Sequence, residues 1–176
     1  MTHDEIEMIE AHVRRLSSRL PEAPLEGILM TRLLTFVGQH VSMMLGHHLR
    51  PYGLSEGEFR VLAALYSQPD GSANPSELCP RTSQTPANMS RICDALVSRE
   101  LITRDSSPRD RRRMILRTTL KGEELARTLL PTLFRPLREL IGVLSEAEQR
   151  QMIHLLKRMA VKVDSVRVPS LAEDAE

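Results

Sequence analysis

The residues most suited to a chemical role form one arginine-rich segment past the middle of the chain. Five consecutive positions combine four arginines with a single acid: Arg109, Asp110, Arg111, Arg112 and Arg113. Neighbouring guanidinium groups repel one another unless a polyanion lies close or the acid braces them. Arginine binds phosphate oxygens and is favoured in narrow minor grooves of DNA. The segment therefore predicts contact with duplex DNA, with Asp110 orienting one arginine. A charged, solvated loop is the alternative interpretation.

The positive charge of the chain is concentrated around this segment. Between Arg81 and Arg117 nine arginines stand against four acids, a net charge of +5, whereas all 176 residues together carry only +1. Such local concentration is typical of a surface that faces phosphates, although a solvated basic face has the same composition. Aromatic residues are 3% of the chain and none lies in this stretch. Single-stranded nucleic acid is therefore disfavoured, because base stacking needs aromatic side chains.

A helix predicted just upstream has the composition of a base-reading helix. Thr85 caps it, Pro86 takes its first position, and it ends near Glu100. Its apolar positions recur at helical spacing and define an inner face: Met89, Ile92, Cys93 and Leu96. The other early positions are predicted to contact DNA: Thr85, Pro86, Ala87, Asn88, Ser90 and Arg91. Small polar groups and arginine near a helix N-terminus can reach base edges in the major groove. An ordinary surface helix is the alternative.

The apolar pattern predicts two helices ahead of the DNA-contacting segments. The first ends at Pro21, and the second spans about 24–50 with apolar residues on more than one face. Three short helices follow, and the residues that cap them are Ser55, Asn74 and Thr85. Glu58, three positions after Ser55, completes a capping box.

Two short extended segments, 101–104 and 114–118, flank the arginine-rich loop and predict a β-hairpin. Two further helices follow it. Their start and bend signals are Thr119, Pro131, Pro136 and the capping box of Ser145 with Glu148. Three short helices followed by a hairpin are a winged helix-turn-helix, the hairpin being the wing.

The predicted fold is therefore mainly α with a small β-hairpin wing. Residues 1–50 are expected to be the N-terminal helices of a dimerisation region, and 51–120 the DNA-binding lobe. Residues 121–166 would supply C-terminal dimerisation helices, and 167–176 a disordered tail. The outer helices carry apolar stripes with no partner inside a small winged domain. Burying those stripes between two subunits predicts a homodimer and a palindromic operator.

The stretch from Pro75 to Gly122 resembles the MarR family of bacterial regulators. The segments that carry the resemblance are Pro75-Ser76-Glu77-Leu78, the helix from Thr85 to Leu96, Asp110-Arg111-Arg112, and Thr119-Leu120-Lys121-Gly122. Upstream, Ile28-Leu29-Met30-Thr31-Arg32-Leu33 is similar to the MprA/EmrR branch, whose members regulate multidrug-efflux operons. Two positions depart from the family pattern: Glu100 stands where members often have glycine, and Pro86 replaces a commoner polar residue.

The resemblance implies a repressor of an efflux or detoxification operon that small lipophilic or phenolic effectors release from DNA. The long second helix offers a place for such a ligand along one half of its length: Phe36, His40, Met43, Met44 and His47. Methionine adapts to varied ligand shapes, and histidine can pair with an acidic ligand. A simple core role for these residues is the alternative.

An enzyme is the first rival interpretation. Gly53-Leu54-Ser55-Glu56-Gly57 matches the G-x-S-x-G nucleophile pattern, which needs a strand before the serine and a parallel sheet beneath it. Neither is predicted here, so Ser55 is expected to be a helix cap. The six histidines lack the spacing of a metal site. No catalytic residue, metal or cofactor is therefore predicted.

Two further alternatives are a dimeric DNA-binding regulator that responds to another signal and a helical dimerisation scaffold that does not bind DNA. A scaffold explains the terminal helices but not the arginine-rich segment. The only cysteines, Cys79 and Cys93, form no disulfide framework and are expected to be unreactive. No signal peptide is predicted, and no apolar run approaches the ~18 residues of a membrane span. We therefore expect a cytoplasmic protein with no membrane partner.

Overall fold

The structure, a computed structural model, describes residues 2–106, 114–163 and 165–166. They are mainly helical, with one small antiparallel sheet. The chain divides into two compact units between Leu130 and Pro131. The predicted tail, 167–176, lies outside the described residues.

The helices of the first unit are close to those predicted. In chain order they are α1 (Thr2–Arg19), α2 (Leu25–Leu49), α3 (Glu56–Tyr66), α4 (Pro75–Thr82), α5 (Pro86–Ser98) and α6 (Leu120–Thr132), the last running two residues past the boundary. The Ser55–Glu58 capping box is confirmed: the Ser55 amide donates to Glu58 Oε2 at 2.6 Å, and the Glu58 amide donates to Ser55 Oγ at 3.3 Å. These bonds satisfy amides that the first turn of α3 would otherwise leave unpaired.

The predicted hairpin is present and is joined by a strand that the sequence did not predict. The strands are β1 (Ser72–Ala73), β2 (Ile102–Ser106) and β3 (Met114–Thr118), in the spatial order β1-β3-β2. In the antiparallel hairpin Arg104 lies opposite Leu116 and Ser106 opposite Met114. A two-residue strand is too short to show an alternating pattern, which is why β1 was missed.

The core of the first unit draws apolar side chains from α2 to α6 and from all three strands. Its deeply buried members include Leu49, Val61, Leu62, Leu65, Leu78, Met89, Cys93, Leu96, Leu101, Ile102, Leu116 and Leu129. The predicted inner face of α5 is confirmed, because all four of its residues are buried. The outer face of α5 is thereby turned away from the core.

The start of α6 is tied closely to the segment that leads into β2. Thr119 Oγ1 donates to the Glu100 carbonyl at 2.7 Å and accepts from the Gly122 amide at 3.0 Å. Glu100 has a φ of 59°, in the left-handed region that glycine occupies without steric cost. Glu100, which stands where family members often have glycine, therefore occupies a backbone conformation that is strained for any residue with a side chain.

α2 passes the length and composition test for a membrane span, contrary to the sequence prediction. An 18-residue window within Leu25–Tyr52 has a mean hydropathy of 1.3, and none of that window is buried in the single chain. One such helix is weak evidence, because helices of water-soluble proteins also pass the test. α2 packs against α1 and α3, and its last residue, Leu49, lies in the core.

The second unit contains α7 (Phe134–Ile141) and α8 (Glu146–Val163). The sequence predicted one long helix bent at Pro131 and Pro136, whereas the structure has α6 and α7 separated at Leu133. Pro136 lacks an amide hydrogen and its ring crowds the carbonyl four residues earlier, which explains the interruption. The capping box that opens α8 is confirmed, since the Ser145 amide donates to Glu148 Oε2 at 2.8 Å. Hydrogen bonds from Ser145 hold the pKa of the Glu148 carboxyl below its usual value.

Candidate nucleic-acid interface

α4 and α5 form a helix-turn-helix in which the turn is set by backbone conformation. Ser83 ends α4 with a left-handed φ of 54°, and the Gln84 amide donates back to the Cys79 carbonyl at 2.9 Å. Thr85 then caps α5, accepting from the Asn88 amide at 3.3 Å. Only three residues, Ser83 to Thr85, separate α4 from α5, and the outer side of α5 lies at the surface of the unit.

The structure places the predicted base-reading residues together on the outer side of α5. Those that are exposed to solvent are Thr85, Pro86, Ala87, Ser90 and Arg91. Asn88 is half-buried, and its amide nitrogen donates to Gln84 Oε1. Arg91 makes no ion pair within the part of the chain that the structure describes, so its guanidinium is available to a ligand. The geometry suits groove contact, and the individual DNA contacts stay predictions.

One flank of α5 is fixed to the hairpin by a charged pair. Arg104 Nη2 on β2 lies 2.9 Å from Asp94 Oδ1 on α5. Arg104 Nε is buried and has no hydrogen-bond partner in the described structure. Burial raises the pKa of the neighbouring Cys93 thiol, although Arg104 opposes that shift. This pair was not predicted from the sequence; the signal for it was Arg104 two residues after Ile102, on the inward-facing side of a strand.

The C-terminal end of α5 is fixed to the loop before α3. Arg99 donates from Nη1 to the Gly53 carbonyl at 2.6 Å and from Nη2 to the Tyr52 carbonyl at 2.8 Å. The sequence carried no signal for this contact because its partners are backbone atoms 46 and 47 positions away. With the Asp94–Arg104 pair, it holds α5 at both its flank and its end.

The other flank of α5 borders a polar cleft of about 670 Å³ beside the start of α3. Arg60 on α3 and Arg91 on α5 both line it. Arg60 Nε donates to Glu56 Oε1 at 3.0 Å, and Ser42 on α2 donates to the other carboxylate oxygen. Burial raises the pKa of Glu56, but the hydrogen bonds from Ser42 and Arg60 and the Arg60 charge together lower it below its usual value. Glu56 is therefore an ionised link between α2 and Arg60.

The predicted wing tip, Arg109 to Arg113, lies outside the described residues. The strands that lead into it are described as far as the pair Ser106 and Met114. The hairpin that would present the arginines is thus confirmed, and their contact with DNA stays a prediction.

The predicted ligand residues share one stripe of α2. The rings of Phe36 and His40 have centroids 4.2 Å apart, and His40 Nδ1 lies 2.9 Å from the Phe36 carbonyl oxygen. Phe36 and Met44 are half-buried, whereas His40, Met43 and His47 are exposed in the single chain. The stripe does not line the cleft beside Arg91. Its ligand role stays a prediction.

The site argues against the hydrolase interpretation. Ser55 is the cap of α3, as predicted, with its hydroxyl oxygen accepting the Glu58 amide. A helix rather than a strand precedes it. Among the described residues there is no group of three or more metal-ligating side chains suited to a metal ion.

Comparison with known proteins finds transcriptional regulators that are similar to nearly the whole chain. A model of the MarR family matches residues 52–113. The chain is 30% identical over 167 residues to the transcriptional repressor MprA of Escherichia coli K12, covering 95% of both chains. It is 28% identical over 134 residues to the regulator MhqR of Bacillus subtilis, covering 76% of this chain and 88% of MhqR.

Solved structures share this fold. AbsC, a MarR family transcriptional regulator from Streptomyces coelicolor, superposes with a TM-score of 0.73 at 22% identity, covering 78% of this chain and 93% of AbsC. A cysteine-to-serine mutant of E. coli MarR, in complex with operator DNA, has a TM-score of 0.69 at 26% identity, covering 76% of this chain and 95% of MarR. The helix-turn-helix, the hairpin and the full-length similarity together establish that this chain belongs to the MarR family of winged helix-turn-helix transcriptional regulators.

Proposed function

We propose that the protein is a cytoplasmic, homodimeric repressor that binds a palindromic operator and is released by a small-molecule effector. The observation that carries the proposal is the exposed polar face of α5 beside the hairpin, in a chain that is similar to the repressor MprA over 95% of its length. α5 enters the major groove, where the residues that approach the bases are Thr85, Pro86, Ala87, Asn88, Ser90 and Arg91. The wing, Arg109 to Arg113, enters the flanking minor groove.

The wing is tested by Arg112→Ala. We expect weaker DNA binding with unchanged folding, because the sequence predicts that Arg112 belongs to a polar loop rather than to the core. Loss of a groove contact costs about 1–3 kcal/mol of DNA-binding free energy. Loss of a phosphate contact lowers the slope of log K against log salt by about 1. Arg14→Ala is the control, since Arg14 is 72% exposed on α1 and is paired with Glu10. Equal affinity of the two variants in a fluorescence titration against duplex DNA would remove Arg112 from the interface.

Dimerisation is proposed through the outer helices, residues 1–50 and 121–166. In the single chain α7 and α8 expose many large apolar side chains: Phe134, Leu137, Leu140, Ile141, Met152, Ile153, Leu155 and Leu156. Exposed apolar surface on this scale is typical of an interface. We expect light scattering to give a dimer at micromolar concentration and Leu156→Glu to weaken it. The neighbouring Lys157→Glu, which introduces the same side chain, should leave the dimer intact. A monomeric wild type would contradict the proposal.

Two-fold symmetry fixes the arrangement of the DNA site. Two copies of α5 would enter successive major grooves on one face of the duplex, with half-site centres about 10 bp apart. Selection of bound fragments from genomic DNA tests this directly, and it also identifies the regulated genes. The similarity to MprA leads us to expect an efflux or detoxification operon among them.

The effector is proposed to be small, lipophilic and phenolic or weakly acidic, and to bind along the α2 stripe. A tenfold loss of DNA affinity requires about 1.4 kcal/mol of coupling between effector and DNA. Phenolic acids and hydrophobic uncouplers titrated into the protein–DNA complex should release DNA, and His40→Gln should reduce that response. His3→Gln, a change at an 85% exposed histidine, is the control. If these compounds neither bind nor shift the DNA isotherm, the protein is a DNA-binding regulator with a different signal.

A further inference from the structure

The two flanks of α5 face different parts of the protein. Asp94 is on the flank that contacts β2 of the hairpin. Asn88 and Arg91 are on the flank that borders the cleft. A helix about 10–12 Å in diameter fills a major groove about 12 Å wide, so a sugar–phosphate backbone runs along each of its flanks. Strand β2 lies beside one flank of α5 and the cleft lies beside the other, where it is positioned to receive a backbone.

The side chains of the cleft suit a phosphate. Arg60 and Arg91 line it together with the exposed, hydroxyl-bearing Ser83. The Arg60 side chain is 45% exposed, and its described hydrogen bonds come from Nε and Nη2, so the two Nη1 protons remain for another acceptor. Arg91 is exposed without an ion pair in the described residues.

The acids of the cleft already have hydrogen-bond partners within the protein. Glu56 accepts hydrogen bonds from Arg60 and from Ser42 on α2, and Glu58 accepts from the Ser55 amide. Glu56 holds the Arg60 guanidinium by an edge that includes Nε, and this fixes the direction of the remaining donors. A side chain oriented in this way loses less conformational entropy when it binds a ligand.

We propose that one backbone phosphate of bound duplex DNA lies in this cleft between Arg60 and Arg91. Arg60 is then a DNA contact outside the helix-turn-helix and the wing, with Glu56 and Ser42 as its positioning residues. The inference rests on the proposed placement of α5 in the major groove. It also links α2 to the DNA surface, because the Ser42–Glu56–Arg60 chain of hydrogen bonds ends at the phosphate.

The test measures the association constant of the full-length protein over a series of salt concentrations. The probes are the tightest duplex selected from random-sequence DNA and an unrelated duplex of equal length. Each phosphate contact contributes about 0.9 to the slope of log K against log salt. Arg60→Gln should therefore reduce the slope by about 0.9 for each protomer, or about 1.8 for a dimer. It should weaken both duplexes by the same factor, since a phosphate carries no sequence information.

Matched variants separate the possible results. Arg14 pairs with Glu10 four residues earlier, as Arg60 pairs with Glu56, so Arg14→Gln, used where light scattering shows it to be as dimeric as the wild type, controls for loss of a similarly paired surface charge. Arg60→Lys keeps the charge and should restore most of the slope. The inference is overturned if Arg60→Gln lowers the slope no more than Arg14→Gln does, or if Arg60→Lys restores nothing. Failure of the wild type to bind either duplex would instead overturn the proposed function.

Discussion

Substitution of Gly122 by alanine tests how closely α6 approaches the entry to the hairpin. A Cβ atom built on Gly122 would lie 2.0 Å from the Leu101 carbonyl oxygen, far inside the 3.0 Å that real Cβ atoms respect. The Gly122 backbone fixes the position of this Cβ, and the atom that it meets is a backbone oxygen, so no flexible side chain can move aside. The same Leu101 oxygen accepts the Thr119 amide at 3.1 Å. A shift of about 1 Å that removes the clash would also stretch this hydrogen bond.

The expected loss of stability follows from the steric clash and from the stretched hydrogen bond. Overpacking a well-packed site costs about 1–3 kcal/mol, and a lost backbone hydrogen bond adds about 1 kcal/mol. We therefore expect Gly122→Ala to lower the free energy of unfolding by about 2–4 kcal/mol, a large share of the 5–15 kcal/mol typical of a domain. Because β2 begins at Ile102, the strain falls at the base of the wing, and we expect DNA binding to weaken as well.

The control is Gly38→Ala in α2, where a built Cβ meets no atom within 4 Å. Alanine is favoured over glycine in a helix by about 0.8–1.0 kcal/mol, so this variant should be slightly more stable than the wild type. Urea unfolding followed by circular dichroism, at one protein concentration for all variants, measures both changes. If the free energies of unfolding of the two variants differ by less than about 1 kcal/mol, α6 does not approach Leu101 as closely as the structure shows.

Three further predictions use the same unfolding assay or simple thiol chemistry. Glu100→Gly should raise the free energy of unfolding by up to about 1 kcal/mol, because the left-handed φ of 59° strains a side chain; a loss of stability would contradict this. The partly exposed pair of Asp94 with Arg104 should show a coupling of about 0.5–1 kcal/mol in a double-mutant cycle, and additive single effects would refute the pairing. Burial raises the pKa of the Cys93 thiol, so Cys93 should react with iodoacetamide more slowly than the half-buried Cys79. Mild peroxide should leave DNA binding intact both in the wild type and in the variant with both cysteines changed to serine.

The sequence alone determined the elements of this protein whose signals act over one or two helical turns. Ser55, Thr85 and Ser145 cap helices as their spacing predicted, because each hydroxyl bonds an amide three residues along. The inner face of α5 followed from helical periodicity, and the hairpin from two extended segments around a polar loop. These signals were enough to predict a winged helix-turn-helix and the face of α5 that would approach DNA.

The tertiary structure decided how these elements are held against one another. The pairing of Arg104 with Asp94, the hydrogen bonds of Arg99 to the segment before α3, and the hydrogen bond of Ser42 to Glu56 each join residues from separate elements. None has a fixed sequence spacing, so none leaves a local pattern to detect. The need for glycine at position 122 likewise depends on which backbone atoms meet. Charge composition predicted a DNA-binding surface, but only packing assigns each arginine to structure or to DNA, because a guanidinium's role depends on the acceptor within its reach.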